Sequence, residues 1–237
     1  AEFDLTEYQA RVRDSVLGNH PDISEELRES LAVIEWPAYY LDFETMMTAV
    51  PLYPDTAPYT QIPTQYSVHV CSGVGEITEH HEYLADPARD SRRDLAGRLI
   101  TDLGEKGSII AYSNFEKSII NALAQLYPDL SVSLNALTER IVDLEAIIRH
   151  NYYHPEFNGS TSIKVTLPAL VPDMSYEGLS IGEGDSAAAA FAYLAMGKHW
   201  KPYQVEKVKQ DLLKYCKQDT LAMVKLHEKL AEVVELG

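Results

Sequence analysis

The chain has 237 residues, of which 46% are hydrophobic and 24% charged, with a formal net charge of −16. This length suits one α/β domain with a small addition, and the composition excludes wholesale disorder. Its two cysteines, Cys71 and Cys216, exclude a disulfide framework and a CxxC zinc site, so a reducing, cytoplasmic setting is expected.

No stretch approaches the ~20 apolar residues that span a bilayer, so no membrane partner is expected. The start lacks a basic region followed by an apolar segment, which argues against a signal peptide. Ala1–Glu2–Phe3 reads as a cloning remnant, which would make the chain a piece of a longer parent with an attached domain. Net acidity argues against non-specific nucleic-acid binding, but it is uneven. Residues 1–163 hold 11 Lys/Arg against 26 Asp/Glu, whereas residues 164–237 hold 9 Lys against 10 Asp/Glu. Attraction for a polyanion must come from the C-terminal third or from bound metal.

Residues 5–17 and 23–34 read as two amphipathic helices forming an N-terminal hairpin over residues 1–36, closed by Trp36–Pro37. The main domain is expected over 37–237. Residues 38–45 read as a strand, 50–63 as a proline-rich loop, and 64–71 and 76–84 as a hairpin about a turn at Ser72 to Gly75. A helix over 89–104 precedes a short apolar strand from Ser108 to Tyr112. Helices are predicted over 114–127 and 133–151, then a Gly/Pro/Ser/Tyr-rich stretch with one helical turn at Val165 to Leu170. An alanine-rich helix starts at Asp185 or Ser186, and a long last helix runs from Pro202 to about Glu235. This order predicts an α/β fold with a mixed sheet.

Asp42 and Glu44 lie two apart on a strand, so they share a face; a divalent cation is a natural partner for two such carboxylates. The alternative is an edge strand with one wet face. Glu116 follows an apolar strand at the first turn of a helix, where α/β sheets gather ligands, or where an acid simply suits the helix dipole. Tyr215 and Asp219 are i and i+4 on the last helix, on a face that Leu212, Ala222 and Leu226 continue. Asp219 there is either a ligand or a cap to a neighbouring helix, with Tyr215 filling space. Asp143, after Ile141–Val142, is a spare metal-proximal acid or a helix N-terminal acid. Asn114 either caps its helix or hydrogen-bonds a substrate. Glu79-His80-His81-Glu82 alternates faces and reads as a solvated hairpin. His199–Trp200 reads as a packed loop, and Phe191, Tyr193 and Leu194 as a core stripe.

Taken in order, the strand Asp-x-Glu, the strand-to-helix acid and Tyr-x-x-x-Asp on a late helix resemble the DEDD exonuclease superfamily, tyrosine subtype, of ribonuclease H-like fold. A closer resemblance is to the bacterial DUF2779 family, over roughly residues 37–230. It is carried by Leu41-Asp42-Phe43-Glu44-Thr45, Tyr112 through Lys117, Asp143-Leu144, Gly159 through Lys164 leading to Leu167-Pro168, and Tyr215 through Thr220. The resemblance implies a 3′–5′ exonuclease acting on the single-stranded 3′ end of a nucleic acid through two Mg²⁺ or Mn²⁺ ions. Asp42, Glu44, Glu116 and Asp219 would hold the ions, with Tyr215 orienting the attacking water. Glu116 departs from the superfamily's usual aspartate. Lys164, in the Gly/Ser-rich stretch, is read as a phosphate contact or as a solvated lysine. Competing readings are a non-catalytic nucleic-acid-binding or regulatory module of a larger protein, an endonuclease on the same fold, and a transposase-type nuclease. The Tyr215/Asp219 pair on a late helix argues against the last.

Overall fold

The computed structural model describes residues 4–54, 56–197 and 201–236. Its elements run α1 (Glu7–Gly18), β1 (Asp22–Ile23), α2 (Leu27–Ala32), β2 (Ala38–Met46), β3 (Ile62–Cys71), β4 (Ile77–Leu84), α3 (Arg92–Leu103) and β5 (Ile109–Ala111). There follow α4 (Phe115–Leu126), α5 (Ser131–Glu139), β6 (Ile141–Asp143), α6 (Leu144–Asn151), β7 (Tyr152–Tyr153), a 3-10 turn (Pro155–Phe157), α7 (Ile163–Leu170), α8 (Gly184–Ala195) and α9 (Pro202–Leu236). The opening tripeptide and His199–Trp200 lie outside the described residues.

Five strands form a mixed sheet in the order β4-β3-β2-β5-β6. Strands β2, β3 and β4 pair antiparallel, while β5 and β6 run parallel to β2. The expected α/β class with helices on both sides of a mixed sheet is what the structure has.

Side-chain alternation along β2 decides what each face does. Leu41 and Phe43 point to one side, where Tyr66, Val68, Leu95 and Leu123 pack beneath α3, α4 and α5. Ala38 and Tyr40 point to the other, packed with Ile110, Leu144 and Leu226 beneath α6 and α9. Asp42 and Glu44 belong to this second set, so they face α9. Strand β3 repeats the division, with Gln65, Ser67 and His69 buried on the α9 side. Buried polar groups need partners, and α9 supplies them. Gln65 Nε2 donates to Leu212 O at 3.0 Å, and Thr220 Oγ1 lies 2.9 Å from Ser67 Oγ and 2.8 Å from His69 Nδ1. Tyr40 OH lies 2.7 Å from His227 Nδ1, whose ring stacks on Trp36. These polar contacts fix the rotation of α9 about its own axis, which apolar packing alone leaves loose.

Three local expectations are corrected. Residues 133–151 are not one helix. Arg140 donates from its guanidinium to the carbonyls of Leu103, Gly104, Lys106 and Gly107 at 2.6 to 2.9 Å, and this draws Ile141–Asp143 in beside β5 as a strand. Helix 23–34 begins later, because Asp22 and Ile23 pair antiparallel with Tyr153 and Tyr152, leaving α2 to start at Leu27. The N-terminal segment is therefore helix, strand, helix. Tyr193 is 54% exposed, while Phe191 and Leu194 are buried, since two residues along a helix turn a side chain about 200°, to the face opposite Phe191.

The hairpin carrying Glu79 to Glu82 is largely solvent-facing, as read, with one addition. His80 turns inward to pack on His69 at 4.5 Å between ring centres, and its Nε2 lies 2.9 Å from Ser67 Oγ. His81 turns the other way and pairs with Glu79.

Candidate metal centre

Strands β2, β5 and β6 are parallel, so their carboxyl ends share one edge of the sheet, where α/β folds place ligands. Asp42 and Glu44 come from β2, Glu116 from the first turn of α4 after β5, and Asp143 from the end of β6. Helix α9 packs across the face of β2 and β3 and delivers Asp219 beside Asp42 and Glu44. A cleft of about 630 Å³ opens there, lined by Asp42, Glu44, Glu116 and Asp219, with Met47 and Ala188 on its apolar walls.

Carboxylate oxygens of Asp42, Glu44 and Asp219 lie within 4.8 Å of one another. Asp219 and Glu116 are only 6% and 4% exposed, and Glu116 Oε2 is buried without a hydrogen-bond partner. Among the described residues, none of the four forms an ion pair. Crowded, unneutralised carboxylates in a low-dielectric site resist ionisation. Burial, then Asp219, Glu44 and Glu116, raise Asp42 well above its usual range. Burial and Asp219 push Glu44 up to about 8, against a partial pull downward from Lys164. Burial, with Asp143 and Asp219 behind it, pushes Glu116 up to about 8. Asp219 rises to about 6 through burial, held back by the Tyr176 hydroxyl and Lys164. The donor set is all oxygen, as hard divalent cations require, and Glu116, with its orphaned oxygen, lines the same cleft. These residues fit a Mg²⁺ or Mn²⁺ site.

A pH dependence follows from those shifts. An acid whose pKa is raised on folding binds its proton more tightly in the native state, so its stabilising protonation is lost as pH climbs to the folded value. Buried His69, His80 and His227 are pushed down to about 4, but their linkage is confined below the unfolded imidazole value of about 6.5. Between about pH 6.5 and 8.5 the site carboxylates therefore dominate. Metal-free protein is expected to lose stability across that window, and Mn²⁺ to restore it. Urea midpoints at both pH values, with and without the ion, check this; a metal-free midpoint that rises with pH contradicts it.

Other predicted residues fall as follows. Tyr215 is 4% exposed, beside Asp219 on the core-directed face with Leu212, Ala222 and Leu226. Asp143 caps α6, accepting from Ala146 N at 2.9 Å. Asn114 occupies the N-cap position of α4, but its side chain makes no capping bond; Ser113 Oγ instead accepts from Phe115 N at 3.1 Å. Lys164 is exposed, and its Nζ donates to Gly182 O at 3.1 Å while lying 5.9 and 5.8 Å from the ring centres of Tyr176 and Tyr215.

Two neighbours of the cluster escaped the sequence reading. Cys216 Sγ lies 3.2 Å from Asp42 Oδ2 and donates to it. Its signal was present: three residues before Asp219 on a helix is the same face. Tyr176 donates its hydroxyl to Asp219 Oδ1 at 2.5 Å. It lies in irregular chain where periodicity says nothing.

Segments that marked the family resemblance also meet here. Tyr112 OH donates to Thr161 O at 2.8 Å and lies 2.7 Å from Thr166 Oγ1, and Thr161 Oγ1 donates to Glu145 at 2.8 Å. The strand-to-helix motif and the Gly/Ser-rich motif thus buttress one wall.

Together these observations define an α/β protein with a carboxylate cluster at the carboxyl edge of a five-stranded mixed sheet, a layout consistent with ribonuclease H-like folds. The chain belongs to the DUF2779 family. The model of that family, described as a domain of unknown function, matches residues 39–162, just over half of the chain. The matched stretch contains Asp42, Glu44, Glu116 and Asp143. No curated protein matches the chain. Among the described residues, no helix is long and apolar enough to cross a membrane.

Proposed function

We propose that this protein is a metal-dependent 3′–5′ exonuclease of the DEDD superfamily, tyrosine subtype, hydrolysing phosphodiester bonds of DNA or RNA from a single-stranded 3′ end. The observation that carries this reading is the meeting of Asp42, Glu44 and Asp219 within 4.8 Å in an open cleft, beside a buried Glu116 oxygen with no partner. Two Mg²⁺ or Mn²⁺ ions, when bound, would supply charge stabilisation and an acidified water for attack on phosphorus. Asp42, Glu44, Glu116 and Asp219 would hold them, with Asp143 behind Glu116.

Tyr215 contributes by position. Burial and then Asp219 raise its phenol above the ordinary value, so it keeps its proton and can donate a hydrogen bond but not act as a base. Lys164 brings positive charge close to Glu44 and Asp219, and Asn114 stands exposed between the cleft-lining Ser113 and Phe115, where it could hydrogen-bond substrate. One observation favours a second reading, a non-catalytic nucleic-acid-binding or regulatory module: Glu116 lies outside the close set of three oxygens.

Single strands labelled at the 3′ or the 5′ end, incubated with Mg²⁺ or Mn²⁺, separate the readings. Release of the 3′ label as mononucleotides by wild type, and not by Asp42→Ala, is the expected result. Oligomeric products point to an endonuclease, and intact strands with folded protein point to the binding module.

A further inference from the structure

Asp219 accepts a hydrogen bond from a residue that is not on its own helix. Tyr176 lies in the connection between α7 and α8, and its hydroxyl donates to Asp219 Oδ1 at 2.5 Å. That connection is fastened on both sides of the tyrosine. Before it, Gln218 Nε2 donates to Ser175 O at 3.2 Å. After it, Lys164 Nζ donates to Gly182 O at 3.1 Å, and Ile181 is buried in the cluster that contains Tyr215 and Phe191. The Tyr176 ring lies 6.2 Å from the Tyr215 ring at 54°, and the Lys164 ammonium lies within 6 Å of both ring centres. These contacts hold the phenol in place from both sides.

We propose that Tyr176 is a positioning residue for the cation site: its hydroxyl holds the Asp219 carboxylate in the orientation that brings an oxygen within 4.8 Å of Asp42 and Glu44. Groups that hydrogen-bond a ligating carboxylate fix its direction and raise metal affinity without touching the metal. The contacts of Ser175 and Gly182 make the connection part of the site, so a chain segment with no catalytic group controls how tightly the cation is held. This inference rests on the cation reading of the cluster.

Mn²⁺ titration calorimetry on wild type and Tyr176→Phe tests it, with Mn²⁺-dependent cleavage measured alongside. Phenylalanine keeps the ring and removes only the donor. The expected result is a loss of about tenfold in Mn²⁺ affinity, with turnover recovering as Mn²⁺ is raised to saturation. Gln218→Leu, which frees the Ser175 carbonyl and leaves the Tyr176 and Asp219 side chains intact, is expected to weaken Mn²⁺ binding in the same direction. Unchanged affinity in both variants overturns the role of Tyr176 while leaving the cation site standing. Wild type that binds no Mn²⁺ overturns the cation site, and this inference with it.

Discussion

Asp42→Asn is expected to abolish metal-dependent cleavage, by on the order of 1,000-fold or more, and at the same time to make the metal-free protein more stable. Both effects come from one position. Asp42 is the carboxylate that Asp219, Glu44 and Glu116 all act upon, and burial compounds their repulsion. Asparagine keeps the shape, and its oxygen can still accept from Cys216 Sγ. It removes an acid that folding without metal must either protonate or bury charged among like charges, so that cost disappears. A gain on the order of 1 kcal/mol would lift the melting temperature by about 2–4 °C in a chain of this size. Stability held back at a functional site is a common cost of function. Mn²⁺ should stabilise wild type strongly and the variant weakly. Melting curves of both proteins with chelator and with Mn²⁺ decide the matter. A variant that melts lower without metal, or one that still cuts, contradicts this account of the cluster.

Gly107→Ala is expected to cost on the order of 4 kcal/mol or more, enough to leave most of the chain unfolded or insoluble. Gly107 has a φ of 83°, and a Cβ there would stand 1.9 Å from the Pro37 carbonyl oxygen. The obstacle is backbone and cannot rotate away. Three sheet-forming contacts converge on that point: Ser108 N donates to Glu35 O, Tyr39 N donates to Ser108 O, and Arg140 binds the Gly107 carbonyl. Separating the segments at Pro37 and Gly107 would pull β5 from β2 and carry Glu116 away from Asp42. Gly159 and Gly178 give the control. Their φ values are 83° and 85°, with nothing within 4 Å of a Cβ, so alanine there should cost only about 1–2 kcal/mol of left-handed strain. Urea unfolding of the three variants separates collision from strain; equal losses would show that dihedral preference alone sets the cost at Gly107.

Much of this architecture was legible wherever a pattern ran long enough to have a period. Strand β2, the β3–β4 hairpin and the amphipathic α3, α4 and α9 announce themselves by alternation or by apolar residues three and four apart. The two-apart spacing of Asp42 and Glu44 and the four-apart spacing of Tyr215 and Asp219 fixed which side chains share a face. Ile141-Val142-Asp143 did not show, because three residues between two helices complete no alternation, and their strand state is set by Arg140 gripping a loop more than thirty residues away. Tyr193 was misplaced because apolar character was weighed without its angle around the helix. Asn114 sits where a cap belongs, yet the backbone at Ser113 brings a different oxygen to the exposed amide. Tyr176 was hidden for a deeper reason. Its neighbours are glycine, serine and glutamate, and only the folded connection reveals that it reaches a carboxylate on α9.

Helix α9 is a single element of 35 residues, about 52 Å long at 1.5 Å per residue, and it follows all five strands of the main sheet in sequence although it packs on the central ones. On the ribosome, β2 with Asp42 and Glu44, and the start of α4 with Glu116, emerge well before it, and synthesis advances at only ~5–20 residues per second. For several seconds the nascent chain carries two strand acids with neither Asp219 nor the Tyr176–Asp219 bond, and with Gln65, Ser67 and His69 uncovered. Such a chain has no complete cage for a divalent ion. The topology thus acts as a timer: the three close carboxylates come together only once α9 has been made and has docked on the sheet.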